Sequence, residues 1–325
     1  ENANYIPSLN AGEYSTSAFH NCFRTIDQIY EFTDALVVQN PTLLSKFLIS
    51  KTYKGAIIYG YKLTKDHSQP TATDEYDLYF VPVVNIDGYE VSWEEHYRAQ
   101  RKSFNQVDLN RNWPTPFEHP NPPAISAADY PGPSAFSEPE TAGINEWLIS
   151  KRSEIQGFID IHAYGGYILY PYGDTKEPIG GGFDEKFDVL GRGLQSVMGA
   201  YTPGPVAKTF YFAYGVFSDY AFREFKKPAV TFELVGNDFA VDVSTIPTRG
   251  IEVYKGINQF AKETTKFNSG PITEPVPTTT DGCNTCDWCF IPGLNSCFSE
   301  FTKNECVVQN AEYGALWCVE IRTKK

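Results

Sequence analysis

The chain is short of positive charge. It has 27 Lys and Arg against 40 Asp and Glu, a formal net charge of −13 over 325 residues. Nucleic-acid binding needs a basic surface to meet phosphates, so that class is set aside. Acidity of this degree suits a soluble, colloidally stable protein. No run of about 18 apolar residues occurs, so no membrane span is expected. No internal repeat is present. The chain opens at Glu1 without Met and without a signal-like apolar segment, and reads as a processed or trimmed form. Histidine is scarce: His20, His67, His96, His119 and His162 are the full set. The His-Glu-x-x-His motif of zincins is absent.

Cysteine is also scarce over most of the length. Cys22 stands alone, and the next is Cys283. Then Cys283, Cys286, Cys289, Cys297, Cys306 and Cys318 crowd the C-terminal tail. An even set in a short segment reads as a disulfide-stapled module, because so few residues cannot bury a sufficient core. Zinc is the rival, since "CNTCDWC" offers two Cys-x-x-Cys spacings. The tail has no His, and the later cysteines are singly spaced, which favours disulfides. Disulfides imply an oxidising compartment, hence a secreted, extracellular protein. The stretch "NSGPITEPVPTTTDG" (268–282) reads as an extended linker suited to O-glycosylation. It separates a large domain, 1–267, from a cysteine-rich module, 283–325.

What is abundant is core material: 42% of residues are hydrophobic and 15% aromatic, enough for a large buried core. Thr25 and Gln28 make a capping-box signature, and Ile26, Ile29, Tyr30, Thr33, Leu36 and Val37 follow helical spacing. "GAIIYGYKL" (55–63) and "DLYFVPVVN" (77–85) read as strands. Ser137 and Glu140 suggest a second capping box, ahead of Ile144, Trp147 and Leu148. "GFIDIH" (157–162) and "PAVTFEL" (228–234) read as further strands. A helix near 247–264 is predicted to carry Ile251, Tyr254, Ile257, Phe260 and Ala261 on one side. Strands interleaved with helices predict an α/β fold, with a mixed, twisted sheet flanked by helices.

Several polar residues fall where such a fold gathers chemistry. His162 and Glu233 both end strands, where functional side chains collect. By itself His162 reads as a hydrogen-bonded core histidine. "DLNRNW" (108–113) sets Asn110 beside Arg111. Arg offers a two-pronged donor suited to a carboxylate; a loop salt bridge is the plainer reading. Arg98 and Arg101 read alone as solvated charges, and Tyr211 as core packing.

Taken together, these segments resemble the zinc metallocarboxypeptidases of the pancreatic carboxypeptidase A and B type. The resemblance runs from about Phe19 to Phe267. "VPVVNIDGYE", "DLNRNW", "FIDIHAYGGYILYPYG" and "AVTFEL" occur in the family's order. It implies an exopeptidase that removes C-terminal residues from peptides with one zinc ion. His162 matches the third zinc ligand, in a His-x-Tyr segment whose Tyr164 joins the substrate-binding set. Glu233 matches the general base. Arg101 matches the cation that stabilises the oxyanion. Asn110 and Arg111 match the clamp on the terminal carboxylate, Arg98 an accessory subsite arginine, and Tyr211 the tyrosine that closes over the substrate. Asp108 matches a residue that steadies a zinc histidine. Ser218 matches the pocket floor, where basic-residue enzymes carry an acid, so a neutral pocket for aromatic or aliphatic residues is expected. Val216 and Phe217 replace small residues there and make the pocket shallower.

The resemblance also exposes a gap. The family's other two zinc ligands come from a His-x-x-Glu motif, and none of the five histidines has Glu three residues after or before it. The motif belongs between the segments like "AIIYGYKL" and "DLYFVPVVN", where this chain has only "TKDHSQPTATDEY". That is too short for the absent core strand, zinc loop and helix. An interior segment is therefore missing near 64–76. His67, with Asp66, Asp74 or Glu75 beside it, is a poor substitute in so polar a loop. The expected explanation is a chain that has lost coding sequence of an active, secreted carboxypeptidase. The alternative is a pseudoenzyme that binds peptide C-termini without zinc. A third reading puts the main function in the cysteine-rich module, whose Trp288, Phe290 and Trp317 would bind cell-surface or polysaccharide ligands; an equal reading makes the same rings the module's small core.

Overall fold

Thr25 opens the first helix, α1 (Ile26–Gln39), with the capping box its sequence predicts. Its hydroxyl accepts from the Gln28 amide, and the Gln28 side chain accepts from the Thr25 amide. Two orphan donors of the first turn are thereby satisfied. The computed structural model describes residues 13–64, 75–269, 289–291, 296–298, 306 and 316–318. His67, Asp66, Asp74 and Trp288 lie outside the described residues, as do Cys283, Cys286 and nearly all of the 268–282 linker. The chain divides into two compact units, Glu1–Gly270 and Pro271–Lys325.

In the first unit, β1 (Leu44–Lys51), β2 (Ile57–Leu63) and β3 (Leu78–Phe80) form an antiparallel sheet in that order. α2 (Ile86–Val91) and α3 (Pro139–Ser150) follow. A second sheet contains β4 (Phe158–Ala163), β5 (Tyr167–Tyr170), β6 (Thr202–Pro205) and β7 (Ala229–Leu234), in the order β4-β7-β5-β6. β7 pairs parallel with β4 and antiparallel with β5, so this sheet is mixed. α4 (Phe183–Met198), α5 (Phe217–Phe225) and α6 (Thr245–Asn268) complete the unit. β7 is the most buried strand: Ala229, Val230 and Phe232 are fully buried. They share one hydrophobic core with Leu190 and Leu194 of α4, Phe222 of α5 and Phe260 of α6. The α/β architecture with helices flanking a mixed sheet is as the sequence predicts.

The sheet is interrupted. β3 and β4 end their respective sheets, and each is hydrogen-bonded on one side only among the described strands. Phe80 on β3 is 37% exposed and Ile161 on β4 is 47% exposed. The break involves β3, which follows the short 64–76 segment where loss of a core strand is expected. Such an edge leaves backbone donors and acceptors and apolar side chains to water.

Three local expectations need correction. Ser137 does not cap α3. The helix starts at Pro139, with Glu138 as N-cap and no side-chain cap bond; the Ser137 hydroxyl instead donates to the Glu138 carboxylate. Pro fits the first helical position because it has no amide hydrogen to leave unsatisfied. Only Leu78–Phe80 of "DLYFVPVVN" forms strand, because Pro82 cannot donate to a ladder. Ile251 and Tyr254 of α6 are exposed, and the buried stripe runs through Gly256, Phe260, Ala261, Thr264 and Phe267. Gly256 permits this, since a β-carbon there would press on Met198 and Phe232.

In the second unit, β8 (Cys289–Ile291), β9 (Ser296–Phe298) and β10 (Leu316–Trp317) form a small antiparallel sheet in the order β10-β8-β9. Cys289 is disulfide-bonded to Cys306, and Cys297 and Cys318 are also in disulfides. Phe290 is buried, which fits the reading of it as module core and not as a ligand-stacking surface ring.

Candidate functional site

The site is built where β4 and β7 end side by side. Their parallel register places His162 opposite Glu233, and β5 sets Tyr167 against Glu233 from the other side. Strand alternation puts Asp160 on the same face as His162. The Asp160 carboxylate sits 2.7 Å from His162 Nε2.

A short helical turn, Leu109–Arg111, approaches from the neighbouring loop. Asp108 caps it by accepting from the Asn110 amide at 3.0 Å. The same carboxylate receives Arg101 Nε at 2.8 Å and Nη2 at 2.7 Å. The Asn110 side-chain amide lies between His162 and the start of α5. Its Nδ2 lies 3.3 Å from His162 Nε2, and its Oδ1 accepts from the Phe217 amide at 2.8 Å. Arg111 donates through Nη1 to the Asn110 carbonyl at 2.6 Å and through Nη2 to the Tyr211 hydroxyl at 3.0 Å. Gly215 has a φ of +69°, and a β-carbon there would strike the Arg111 carbonyl. Only glycine admits so close an approach at that φ.

The charges bear on one another. Burial pushes the Glu233 carboxyl above its usual range, and His162, Arg101 and Arg111 partly offset this. No hydrogen bond to its carboxylate occurs among the described residues. Burial alone would depress His162, but the Asp160 carboxylate prevails and lifts its pKa to about 9. Arg101 is likewise opposed by burial but raised further by Asp108.

The expected residues thus separate into two groups. Arg101, Asp108, Asn110, Arg111, Tyr211, His162 and Glu233 form one connected cluster. Arg98 is exposed and outside it. Tyr164 packs its ring against Phe239 at 4.9 Å. Ser218 is 2% exposed, inside α5. Sequence reading overlooked Asp160, although the alternation of β4 was a sufficient signal. It also overlooked a cavity of about 160 Å³ beside Arg111 and Tyr211, which has residues of the 115–131 loop in its wall. No local pattern marked that loop.

The donor set does not fit zinc. It offers one imidazole, whose Nε2 faces the Asp160 carboxylate. Among the described residues no three His, Cys, Asp or Glu side chains are placed to hold a metal ion. Zinc sites of catalytic type use three protein ligands.

Residues 66–256 match the family model described as zinc carboxypeptidase. The chain belongs to that family. Carboxypeptidase A1 of Mus musculus is 30% identical over 287 positions, covering 72% of this chain and 68% of the relative. Carboxypeptidase B of Bos taurus is 28% identical, covering 68% of this chain and 64% of the relative. The mouse alignment is longer than the share of this 325-residue chain it takes in. The mouse enzyme therefore has positions with no counterpart here. Among solved structures, the carboxypeptidase A of Helicoverpa armigera superposes with a TM-score of 0.69 at 20% identity, over 79% of this chain and 77% of that one. Bovine thrombin-activatable fibrinolysis inhibitor, in complex with tick carboxypeptidase inhibitor, gives 0.69 at 22%, over 77% and 99%. These two likenesses establish the carboxypeptidase fold.

Proposed function

We propose that the large domain, 1–267, is a secreted carboxypeptidase-type domain that grips the free C-terminus of peptides. Hydrolysis belongs to a form of the protein that carries the two zinc ligands this chain lacks. The observation that carries this reading is the Arg111–Tyr211 pair, set beside Arg101 and Glu233 at the ends of β4 and β7.

Arg111 would take the terminal carboxylate with its fork of N–H donors. The carboxylate would displace the Tyr211 hydroxyl from Nη2 and release that ring to close over the peptide. Asn110 offers its amide hydrogens to the same oxygen. Arg101 spends Nε and Nη2 on Asp108 and keeps Nη1 for a peptide carbonyl. With no water-activating metal beside it, Glu233 supplies only a half-buried carboxyl group facing the two arginines. Zinc, where the full ligand set is present, would supply the Lewis acid that activates water. Secretion is inferred from the disulfides of the second unit.

Calorimetry on the full chain tests this. An N-acetylated hexapeptide with a free C-terminus should bind, and its C-terminal amide should bind at least tenfold more weakly. Equal binding of acid and amide would sink the proposal. Turnover of a blocked dipeptide by the purified chain would replace binding with catalysis.

The open outer edges of β3 and β4 favour the companion reading, that this chain has lost coding sequence of an active enzyme. RNA read across the codons for Leu63 to Tyr79 decides it. Extra in-frame codons containing His-x-x-Glu establish the active enzyme. The junction as written leaves the metal-free binder.

A further inference from the structure

The first sheet carries a groove of about 510 Å³ that shares no lining residue with the cavity beside Arg111. Strand register builds its floor. Ser45 of β1, Lys62 of β2 and Tyr79 of β3 are direct cross-strand partners and form one row on one face of the sheet. Phe47, two residues after Ser45, lies on the same face, opposite Gly60. A β-carbon at position 60 would strike the Phe47 ring, so glycine there lets that ring lie down on β2. Trp147 of α3 closes the groove. Its ring stacks on Phe47 at 5.4 Å and meets Tyr79 edge-on at 5.3 Å.

We propose that this groove binds a neutral, β-1,4-linked glycan chain, at a site separate from the peptide clamp. A pyranose in such a chain carries its hydroxyls around its rim and presents axial C–H groups on its two faces. It therefore needs rings to meet the faces and polar groups to meet the rim. The groove has both. Phe47, Tyr79 and Trp147 supply the rings. Lys62 is paired with Asp77 at 2.6 Å, and Glu154 accepts from Lys151 Nζ and from the Tyr79 hydroxyl, each at 3.1 Å. Hydroxyls donate and accept, so one sugar can bridge a lysine and an acid. The volume falls within the range of about 300–1,000 Å³ usual for small-molecule sites. A sheet face makes the floor, which suits a flat chain and not a coiled one.

Charge argues against other occupants. Lys62 and Lys151 stand against Asp77 and Glu154, so the rim is neutral and favours neither sign of ligand. A cation meets a further obstacle, because Lys62 already lies 5.5 Å from the Tyr79 ring centroid. A polyanion is repelled by the whole molecule, whose formal net charge is −13. A protein partner would have to strip water from two ion pairs whose side chains are 30–51% exposed. Desolvating such pairs is costly. Sugar hydroxyls avoid that cost, since they replace the lost water with hydrogen bonds of the same kind.

The test titrates the full chain with three tetramers of one linkage: cellotetraose, the cationic β-1,4-glucosamine tetramer and sulfated cellotetraose. Saturation transfer from protein to sugar, read by NMR, reports contact, and calorimetry reports affinity. Cellotetraose should bind with a Kd on the order of a millimolar or tighter, and each charged tetramer several-fold more weakly. Trp147→Ala should weaken cellotetraose about tenfold. Trp147 also packs on Phe47, so Trp147→Phe, which keeps a ring there, is the milder variant and should still lose affinity. Lys62 is only partly buried on the sheet face, and Lys62→Ala should weaken the sugar several-fold without disturbing the core. Far-UV dichroism matched to the parent confirms that each variant is folded. Absence of cellotetraose binding overturns the inference, as does tighter binding of either charged tetramer. So does undiminished binding in both Lys62→Ala and Trp147→Phe, which would put the sugar at another place on the chain.

Discussion

At the scale of single residues, the site is held by charges that lack ordinary solvation. Arg111 is the sharpest case. Hydrogen bonds to a charged group contribute about 1.5–3 kcal/mol. Arg111→Ala should therefore weaken a free-acid peptide by roughly ten- to a hundredfold and leave the amide unaffected, as read by calorimetry. Two other residues make stability depend on pH. Asp219 is fully buried; burial, then the Asp174 carboxylate, pushes its pKa up to about 7 from an ordinary 3.8. Between those values the folded protein holds this proton more tightly than the unfolded chain. Stability is therefore lost as pH rises from 3.8 through 7. Asp219→Asn should flatten that fall and be more stable than the parent at pH 8, by something on the order of 2–4 kcal/mol. Urea melts at pH 5 and pH 8 check it, and parallel losses in both proteins would refute the assignment. His162 acts in the same direction. Its raised pKa stabilises the fold below 6.5, and that contribution disappears as pH rises through about 9. Asp160→Asn should remove roughly 2–3 kcal/mol at pH 6 and much less at pH 10.

At the scale of elements, legibility followed how local the cause was. The Thr25–Gln28 capping box was readable because both partners lie within one turn. Thr25→Ala should cost about 1 kcal/mol in a chemical melt, the usual worth of such a cap. β4 and β7 were readable because β-branched and aromatic runs mark buried strands. The start of α3 misled because Ser137 has the right spacing but is drawn away, by Glu138 and by Asn112. The face of α6 misled because Ile251 and Tyr254 keep helical spacing while lying outside the reach of the core. The meeting of Asn110, Arg111 and Tyr211 was expected from "DLNRNW" and its family likeness. The cavity was not, since its walls come from loops about ninety residues apart whose meeting depends on Gly215 fitting under Arg111. No pattern within either loop encodes that contact.

At the scale of the whole molecule, the lost segment proposed above accounts for both the interrupted sheet and the incomplete metal site. A strand between β3 and β4 would join the two sheets, and the loop leading from it would bring two ligands to face His162. A core strand averages about 5–6 residues. Burying its apolar face, with those of Phe80 and Ile161, removes surface worth about 25 cal/mol per Å². Paired edges also satisfy backbone groups that now face water. A chain with that strand and its His-x-x-Glu segment inserted between Leu63 and Tyr79 should therefore change in two independent ways. It should melt at a higher temperature even when prepared without metal, because the sheet is closed. It should also bind one zinc ion per chain and cleave blocked dipeptides. Competition between Asp160 and the metal for His162 then sets the order of events, since a histidine must give up its proton to act as a ligand. Zinc uptake should rise with pH up to about 9, and Asp160→Asn should shift that rise to lower pH. A rise in melting temperature without zinc uptake would mean that the strand is missing but that His162 remains committed to Asp160.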